Sequence, residues 1–353
     1  MFKPFFRTGF LIAVLTFIAS MALSAASANA APLRGYAVVN IFKIGGVGGW
    51  DYARLNDAGT LLFVTRATHT NVIDTATGKV VADIPDNDLS HGVALVPSLG
   101  RGFISNGRSG TVTIFDLKTY ATIGTVKTDL DSDGIIYDPA SDRVIVVCGD
   151  MSKMYAINPH TGEVAAEVDL VGQPEYLASD GQGKVFININ DKNEVAVIDT
   201  KTMKVITNWP LGSNTGPTGM GIDPMGHRLF IGCRGSKTMV VMSSDDGQIL
   251  ATEPIGAIVD TTCYYHGHAF ASCGDGTLTI VGETTPGNYS VLQVVKTAPG
   301  ARTMALDSNT GRIYMPTADM APSPTTSSST TTRRRMRAIP GTFKIVVVDY
   351  PPA

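Results

Sequence analysis

A pattern of four short β-rich runs recurs seven times along the chain, and it constrains the fold more than any other feature. The breaks between the runs carry turn residues, as in the segments 56–59 (NDAG) and 223–226 (DPMG). After the first 30 residues, no segment shows the 3.6-residue apolar period of a long helix. The repeats begin at Trp50, Ser90, Ser132, Pro174, Pro217, Val259 and Ala301.

Seven units of this kind predict an all-β fold, a seven-bladed β-propeller with four antiparallel strands in each blade. An open or six-bladed array is the alternative, and an open array would need distinct capping repeats. The seventh unit ends after its third strand, 344–350, whereas the segment 36–43 has the pattern of a fourth strand. We therefore expect the N-terminal strand to close the last blade, which removes exposed sheet edges.

The first 30 residues are predicted to be a signal peptide. Lys3 and Arg7 precede an apolar stretch, 10–19, and the segment ends in the small-residue pattern Ala-Asn-Ala at 28–30. An uncleaved anchor is the alternative. Cleavage would leave a propeller domain, residues 31–353, in the periplasm or outside the cell, without a later apolar run that could span a membrane. We expect that domain to be a monomer.

Charge and composition argue against several classes of protein. The chain has 28 Lys and Arg against 31 Asp and Glu, a net charge of −3 that falls to about −5 without the signal peptide. Nucleic-acid binding is therefore not the default expectation. Since 44% of residues are apolar and 17% charged, the chain is not disordered. Four cysteines are too few for a disulfide scaffold, although one disulfide between Cys233 and Cys273 stays open.

Alignment of the repeats places one residue at the start of the first strand in every unit, with spacings of 40, 42, 42, 43, 42 and 42 residues. The innermost strand of each blade lines the central channel, so these side chains are expected to form a ring at one mouth. The ring, with Trp50 beside it, is the predicted ligand site and consists of Asp51, His91, Asp133, Glu175, Thr218, Asp260 and Arg302.

Carboxylates that converge repel one another, so a cation or a ligand with amine or hydroxyl donors would stabilise the ring. The leading hypothesis is an exported binding protein for a small molecule or a cation. The alternative is a metal-assisted, lactonase-like hydrolase or lyase, with His91 as base and Arg302 stabilising an oxyanion. Asp133, Glu175 and Asp260 would then hold calcium or magnesium. A polar mouth that only binds water is a further interpretation.

The segment 316–341 interrupts the last repeat and is rich in Pro, Ser and Thr, which predicts a flexible insertion. It follows a second strand, so it should emerge over the ring. An electrostatic lid, a tether and a segment without function all stay open. The net charge and the scarcity of aromatic residues at the ring argue against single-stranded nucleic-acid binding, the second alternative function. The exception is the basic cluster of this insertion, Arg333, Arg334, Arg335 and Arg337.

Two other motifs resemble chemical sites without the expected context. The segment GGVGG at 45–49 is followed by neither a helix nor a Lys-Ser/Thr pair, so it is interpreted as a turn between blades rather than a phosphate loop. His266 and His268, with His227 in the preceding unit, would suit zinc or copper. Ordinary turn residues are the alternative.

Several stretches resemble a known family. The segments IDTATGKV at 73–80 and IDTKTMKV at 198–205 resemble the YVTN-type repeat. GWDY at 49–52 and HGVAL at 91–95 are similar to the secreted, YncE-like β-propeller family, and the resemblance extends over residues 36–350. It implies a propeller fold and export. It implies little about activity, because most members of that family have no assigned reaction and a fold alone does not supply one.

Overall fold

The computed structural model describes residue 1 and residues 35–322 and 336–350. The predicted signal peptide, apart from Met1, and the arginines at 333–335 lie outside the described residues. Nearly all regular structure in the described ranges is β-strand, and the helix found there is a single 3-10 turn at Pro97–Leu99. No helix in these ranges has the length and hydropathy of a membrane span.

Seven four-stranded antiparallel sheets form a ring, which confirms the predicted seven-bladed β-propeller. Each of the first six blades is built from four strands consecutive in the chain. The strands of blades one to three are β2 Ala53–Leu55, β3 Leu61–Thr65, β4 Thr70–Asp74 and β5 Val80–Ile84; β6 Ser90–Val96, β7 Arg101–Asn106, β8 Thr111–Asp116 and β9 Thr122–Lys127; β10 Ser132–Asp138, β11 Arg143–Cys148, β12 Lys153–Ile157 and β13 Val164–Asp169.

Blades four to six repeat the arrangement, and the first strands of successive blades contact one another around the central channel. Their strands are β14 Pro174–Ser179, β15 Lys184–Ile189, β16 Glu194–Asp199 and β17 Lys204–Pro210; β18 Pro217–Asp223, β19 Arg228–Cys233, β20 Thr238–Ser243 and β21 Ile249–Pro254; β22 Val259–Tyr265, β23 His268–Cys273, β24 Thr277–Thr285 and β25 Asn288–Lys296.

The seventh blade joins the two ends of the chain. It contains β26 Ala305–Leu306, β27 Ile313–Thr317, β30 Lys344–Asp349 and β1 Ala37–Lys43. β1 pairs antiparallel with β30 from Ala37↔Asp349 to Lys43↔Lys344, so the N-terminal strand completes the blade as predicted. This pairing satisfies the edge of β30, which would otherwise offer free backbone groups to another chain.

The apolar core lies between neighbouring blades rather than in one central mass. In the second blade, β7 and β8 are buried almost throughout, whereas the outer strand β9 is largely exposed. Phe103 and Val112 of that blade form one cluster with Val144 of the third, and all three are 0% exposed. Burial of a side chain such as Phe103 stabilises the fold by roughly 2–3 kcal/mol. Phe103→Ala would leave a cavity between these blades and lower the free energy of unfolding substantially.

The recurring Asp-x-x-Thr sequence closes the turns between the third and fourth strands. Oδ1 of Asp74 accepts hydrogen bonds from the backbone N–H of Thr77 at 2.8 Å and from its hydroxyl at 2.6 Å. Asp116 and Asp199 make the same contacts in the second and fourth blades. Because the carboxylate accepts these bonds, the pKa of each aspartate lies below its usual range.

The two ends of the predicted insertion, 316–341, pair with each other. β28 Met320–Pro322 and β29 Met336–Ala338 form a two-stranded sheet in which Ala321 lies opposite Arg337. The backbone N–H of Gly341 donates to the carbonyl of Gly46 at 3.0 Å. The base of the insertion therefore lies against the 45–49 loop.

Candidate functional site

The predicted ring lies where the innermost strands begin. His91, Asp133 and Glu175 occupy the second positions of β6, β10 and β14. Asp51 and Arg302 precede β2 and β26. Because these strands surround one axis, charged side chains from distant parts of the chain meet at one mouth of the channel.

His91 lies between two carboxylates of the neighbouring blades. Its Nδ1 atom is 2.6 Å from Oδ2 of Asp51 and 3.5 Å from Oδ1 of Asp133, and the three side chains are only 15–18% exposed. One potential ligand atom from each residue lies within 4.8 Å of the other two, and no other group of His, Cys, Asp or Glu in the described ranges has this geometry. This trio is therefore the arrangement most suited to hold a metal ion.

The pKa values of His91 and Asp133 lie above their usual ranges. Burial alone would lower the pKa of His91, but the hydrogen bond to Asp51 and the charge of Asp133 outweigh it and raise this pKa to about 9. Burial raises the pKa of Asp133 well above its usual range; the charge of His91 opposes the rise, and that of Asp51 adds to it. At neutral pH, His91 is cationic and forms an ion pair with Asp51.

Two arginines hold the carboxylate of Asp260, which is 5% exposed. Arg302 donates to Asp260 through Nε, and its Nη2 lies 3.2 Å from Oδ1 of Asp51. Arg234 donates to the other oxygen of Asp260 and, through Nε, to the carbonyl of Val259 at 3.0 Å. Burial raises the pKa of Asp260 and both arginines oppose that rise, so this carboxylate already has its cationic partners.

Alignment of one position per repeat missed two residues of the mouth, Arg234 and Asp131. Arg234 follows the last residue of β19, and Asp131 precedes the first residue of β10. The charge of Asp131 acts on both Asp133 and Glu175, so it belongs to the same electrostatic group. A sequence signal existed, because the ends of second strands were expected beside the ring, and Arg234 directly follows one of them.

Acidic groups outnumber basic ones at this mouth. Burial, with the charge of Asp260, raises the pKa of Glu175 to about 7, although Arg234 opposes the rise. Glu175 makes no ion pair within the described residues, in contrast to Asp260. Against Arg234, Arg302 and His91 stand Asp51, Asp131, Asp133, Glu175 and Asp260.

Thr218 and Trp50, also predicted as ligand-binding residues, have structural contacts. Thr218 is 1% exposed, and its hydroxyl donates to the carbonyl of Val259 at 2.9 Å, which ties the fifth blade to the sixth. The ring of Trp50 packs against Phe343 with centroids 5.9 Å apart, in the apolar cluster between the first and seventh blades. These contacts fit a role in joining blades.

Hydroxyl groups of adjacent blades hold the backbone of the ring residues in place. Ser105 donates to the carbonyl of Asp133 at 2.6 Å, and Ser272 donates to that of Arg302 at 2.5 Å. The Thr65 hydroxyl bonds the carbonyl of His91 in the same way, at 2.9 Å. Three ring positions are therefore fixed by contacts that do not use their side chains, which leaves those side chains to face the axis.

Tyr52 and Tyr176 directly follow the ring residues Asp51 and Glu175 in the chain, and both line the central channel. Their rings meet edge to face with centroids 4.9 Å apart. Burial raises the pKa of Tyr52 well above its usual range, and the charges of Asp133 and Asp260 add to the rise. The Tyr52 hydroxyl therefore lies within the field of the ring carboxylates, and both tyrosines line the central channel.

The glycine-rich segment 45–49 is a junction held by one buried arginine. Arg66 is 1% exposed, and its guanidinium donates to the carbonyls of Gly49 and Val47, both at 2.8 Å. The same guanidinium lies 3.5 Å from the ring centroid of Phe343. With these donors committed to the loop, the segment acts as a connection between blades.

The predicted histidine and cysteine sites have other contacts. Nδ1 of His227 lies 2.9 Å from Oδ1 of Asp245, and Nδ1 of His268 lies 3.2 Å from the carbonyl oxygen of His266. All four cysteines are free thiols. Cys233 and Cys273, for which the sequence left a disulfide open, are both buried and are not bonded to each other.

No family model matches this chain, and no curated protein matches it. Among solved structures, the chain is similar to Kuenenia stuttgartiensis hydrazine synthase, with a TM-score of 0.68 and 14% sequence identity. The match covers 76% of this chain and 92% of that chain. At this identity the similarity supports the propeller fold alone.

Proposed function

We propose that this protein is an exported, YncE-like β-propeller that binds a ligand, and that the acidic mouth of its channel takes a divalent cation. The observation that carries the proposal is the convergence of Asp51, His91 and Asp133, whose potential ligand atoms lie within 4.8 Å of one another. The excess of carboxylates around this trio supports it, because a bound cation would offset their mutual repulsion.

The ligand atoms of the trio, one nitrogen and carboxylate oxygens, favour a metal ion that accepts both nitrogen and oxygen ligands. One imidazole with two carboxylates suits Mn²⁺ or Zn²⁺ better than the calcium or magnesium expected from carboxylates alone. Of the three predicted metal ligands, Asp260 already pairs with two arginines, so Asp51 is the better candidate beside Asp133. Glu175 then contributes negative charge nearby. The amine of a small molecule would meet the same carboxylates, and the experiment below distinguishes it from a metal.

A metal-assisted hydrolase or lyase at the same mouth is the second candidate, favoured by the Asp51–His91 pair and by Arg302 beside it. Two observations weigh against His91 as a general base. Its Nε2 atom is buried without a hydrogen-bond partner in the described residues, and its pKa of about 9 keeps it protonated at neutral pH unless a bound metal displaces the proton. We therefore prefer binding to catalysis.

Single-stranded nucleic-acid binding is less favoured. The acidic mouth would repel phosphates, and cationic support would come from the insertion, of whose arginine cluster the structure describes Arg337 alone. The predicted signal peptide supports a location in the periplasm or outside the cell, and a closed ring supports a monomer.

Calorimetric titration and thermal unfolding of EDTA-treated protein with MnCl2, ZnCl2, CaCl2 and MgCl2 test the proposal. We expect Mn²⁺ or Zn²⁺ to raise the melting temperature, since a ligand at 100 times its Kd adds about 2.7 kcal/mol. Asp133→Asn should weaken binding about tenfold or more. Asp57→Asn, in an exposed turn after β2, is the matched control and should bind as the wild type does.

Two results would contradict the cation site: no stabilisation by any of the four metals, or Asp133→Asn binding as tightly as the wild type. If an organic amine stabilises the wild type and not Asp133→Asn while all four metals fail, the mouth binds small cationic molecules instead.

A further inference from the structure

A cavity lies in the central channel, and Tyr52 and Tyr176 form part of its wall. It has a volume of about 520 Å³, in the range of sites that hold small organic molecules. About half of its wall is apolar, and this part comes from the innermost strands of several blades, as shown by Val93, Leu95, Ile135, Leu177, Met220 and Ile222.

This cavity opens on the face opposite the ring. Its lining includes Pro139, Gly181, Pro224 and Ser308, which belong to turns between first and second strands. These turns lie at the far ends of the strands that begin at the ring. The ring residues do not line the cavity, so a ligand would reach it from the opposite side without passing the acidic mouth.

Arg54 is the one cationic side chain of the cavity wall. It is an exposed residue of β2, opposite Phe63 in the sheet, and it lines the cavity. Within the described residues Arg54 forms neither an ion pair nor a side-chain hydrogen bond. The acidic residue of the lining, Asp180, accepts hydrogen bonds from the backbone N–H groups of Gln182 and Lys184 in its own turn. The guanidinium thus has no internal counterion.

Two further polar groups of the wall lie near Arg54: the Tyr176 hydroxyl and the Cys263 thiol. Burial raises the pKa of Cys263 to about 12 and that of Tyr176 above its usual range, and the charge of Arg54 opposes both shifts. The Tyr176 hydroxyl makes no hydrogen bond to another described residue. A positive group, a hydroxyl donor and a thiol therefore line the same cavity.

We propose that this channel is a second binding site, for a small organic carboxylate with an apolar body, whose carboxylate pairs with Arg54 and accepts a hydrogen bond from Tyr176. A guanidinium without a counterion is matched by a carboxylate, which it binds through two parallel hydrogen bonds. The aliphatic wall covers the apolar body of the ligand. This proposal does not rest on the cation site at the ring.

Calorimetric titration with trans-cinnamate and octanoate as probes, and with trans-cinnamamide as the neutral match of cinnamate, tests the proposal. We expect at least one carboxylate to bind with a stoichiometry of one, and the amide to bind about tenfold more weakly or worse. Arg54→Gln should lower carboxylate affinity by about tenfold or more, whereas Arg54→Lys, which keeps the charge, should lose less. Arg108→Gln is the control, since Arg108 is 70% exposed and pairs with Asp88.

Cys263 supplies an independent readout of the same site. The other three cysteines are buried, so alkylation by iodoacetamide at alkaline pH should modify Cys263 first. Cinnamate or octanoate should slow that modification in the wild type and not in Arg54→Gln. The proposal is overturned if neither carboxylate binds, if neither carboxylate protects Cys263, or if Arg54→Gln binds the carboxylates as tightly as the wild type does. Arg54→Gln should unfold in urea with the same midpoint as the wild type, which excludes a misfolded variant whether or not the ring binds a metal.

Discussion

Gln293, in the outer strand of the sixth blade, makes two hydrogen bonds to the backbone of Tyr36, which lies 257 residues earlier in the chain. The Tyr36 N–H donates to Oε1 at 2.9 Å, and Nε2 donates to the Tyr36 carbonyl at 2.7 Å. Tyr36 directly precedes β1, the strand that completes the seventh blade. One amide side chain therefore anchors the closing strand to the neighbouring blade.

Gln293→Ala should loosen this closure. The loss of two partly buried hydrogen bonds is expected to lower the free energy of unfolding by about 1–2 kcal/mol. Amide hydrogen exchange in residues 37–43 should accelerate more than exchange elsewhere, because the start of β1 loses its anchor. Gln248→Ala is the control, since Gln248 is an exposed residue with no side-chain hydrogen bond in the described structure. Equal exchange in the two variants would refute this role of Gln293.

Arg302→Gln should destabilise the protein more than removal of an exposed ion pair does. It removes one of two guanidiniums from Asp260, which is 5% exposed, and leaves that buried charge undercompensated. Because Arg234 still pairs with Asp260, we expect a loss of about 1–3 kcal/mol in urea unfolding. The matched control is Arg312→Gln, whose partner is Asp349 and whose side chain is 43% exposed; about 0–1 kcal/mol is expected there. Equal losses would show that the ring pairs act as surface pairs.

Stability should fall as the pH rises from about 5 to 9 in the presence of EDTA. The pKa of His91 rises from 6.5 to about 9 on folding, so its contribution is complete below pH 6.5 and is lost as the pH passes 9. Its size is roughly 3 kcal/mol. Glu175 acts in the same direction, because its pKa rises from 4.5 to about 7 and its ionised form is disfavoured in the folded state.

Urea unfolding of His91→Gln and Glu175→Gln across this pH range measures the two contributions. His91→Gln should reduce the slope between pH 6.5 and 9, and Glu175→Gln should remove part of the slope between pH 4.5 and 7. Above pH 7, Glu175→Gln should be more stable than the wild type. A wild-type protein whose stability is constant from pH 5 to 9 would disprove these assignments.

Gly107→Ala should disturb the candidate metal site without adding charge. A Cβ atom at Gly107 would lie 2.8 Å from Nε2 and 3.0 Å from Cδ2 of His91, so the imidazole must move away from its present position. We expect a loss of about 1–3 kcal/mol in stability and weaker metal binding. At Gly124 the nearest atom would be 3.7 Å from the new Cβ, so Gly124→Ala should leave the metal response unchanged. An unaltered metal response in Gly107→Ala would mean that His91 is not a ligand.

Much of the architecture follows from local patterns. The period of about 42 residues specifies seven blades, because each unit carries its own four strands and turns, such as the one that Asp74 closes. The free third strand of the last unit specifies closure by the N-terminal segment. Even the level of the ring follows from the period, since equivalent positions in a propeller lie at equal depth. These properties depend on backbone pattern, which the sequence states directly.

The pairing of charges depended on the tertiary structure. The sequence alone determined that Asp51, His91, Asp133, Glu175, Asp260 and Arg302 share one mouth. It did not determine that His91 contacts two carboxylates, that Arg234 joins Arg302 on Asp260, or that Thr218 and Trp50 connect blades. Ion pairs and pKa values depend on distances of a few ångströms and on burial, which arise only when seven blades close around one axis. For the same reason the unpaired Arg54 becomes visible only in the assembled channel.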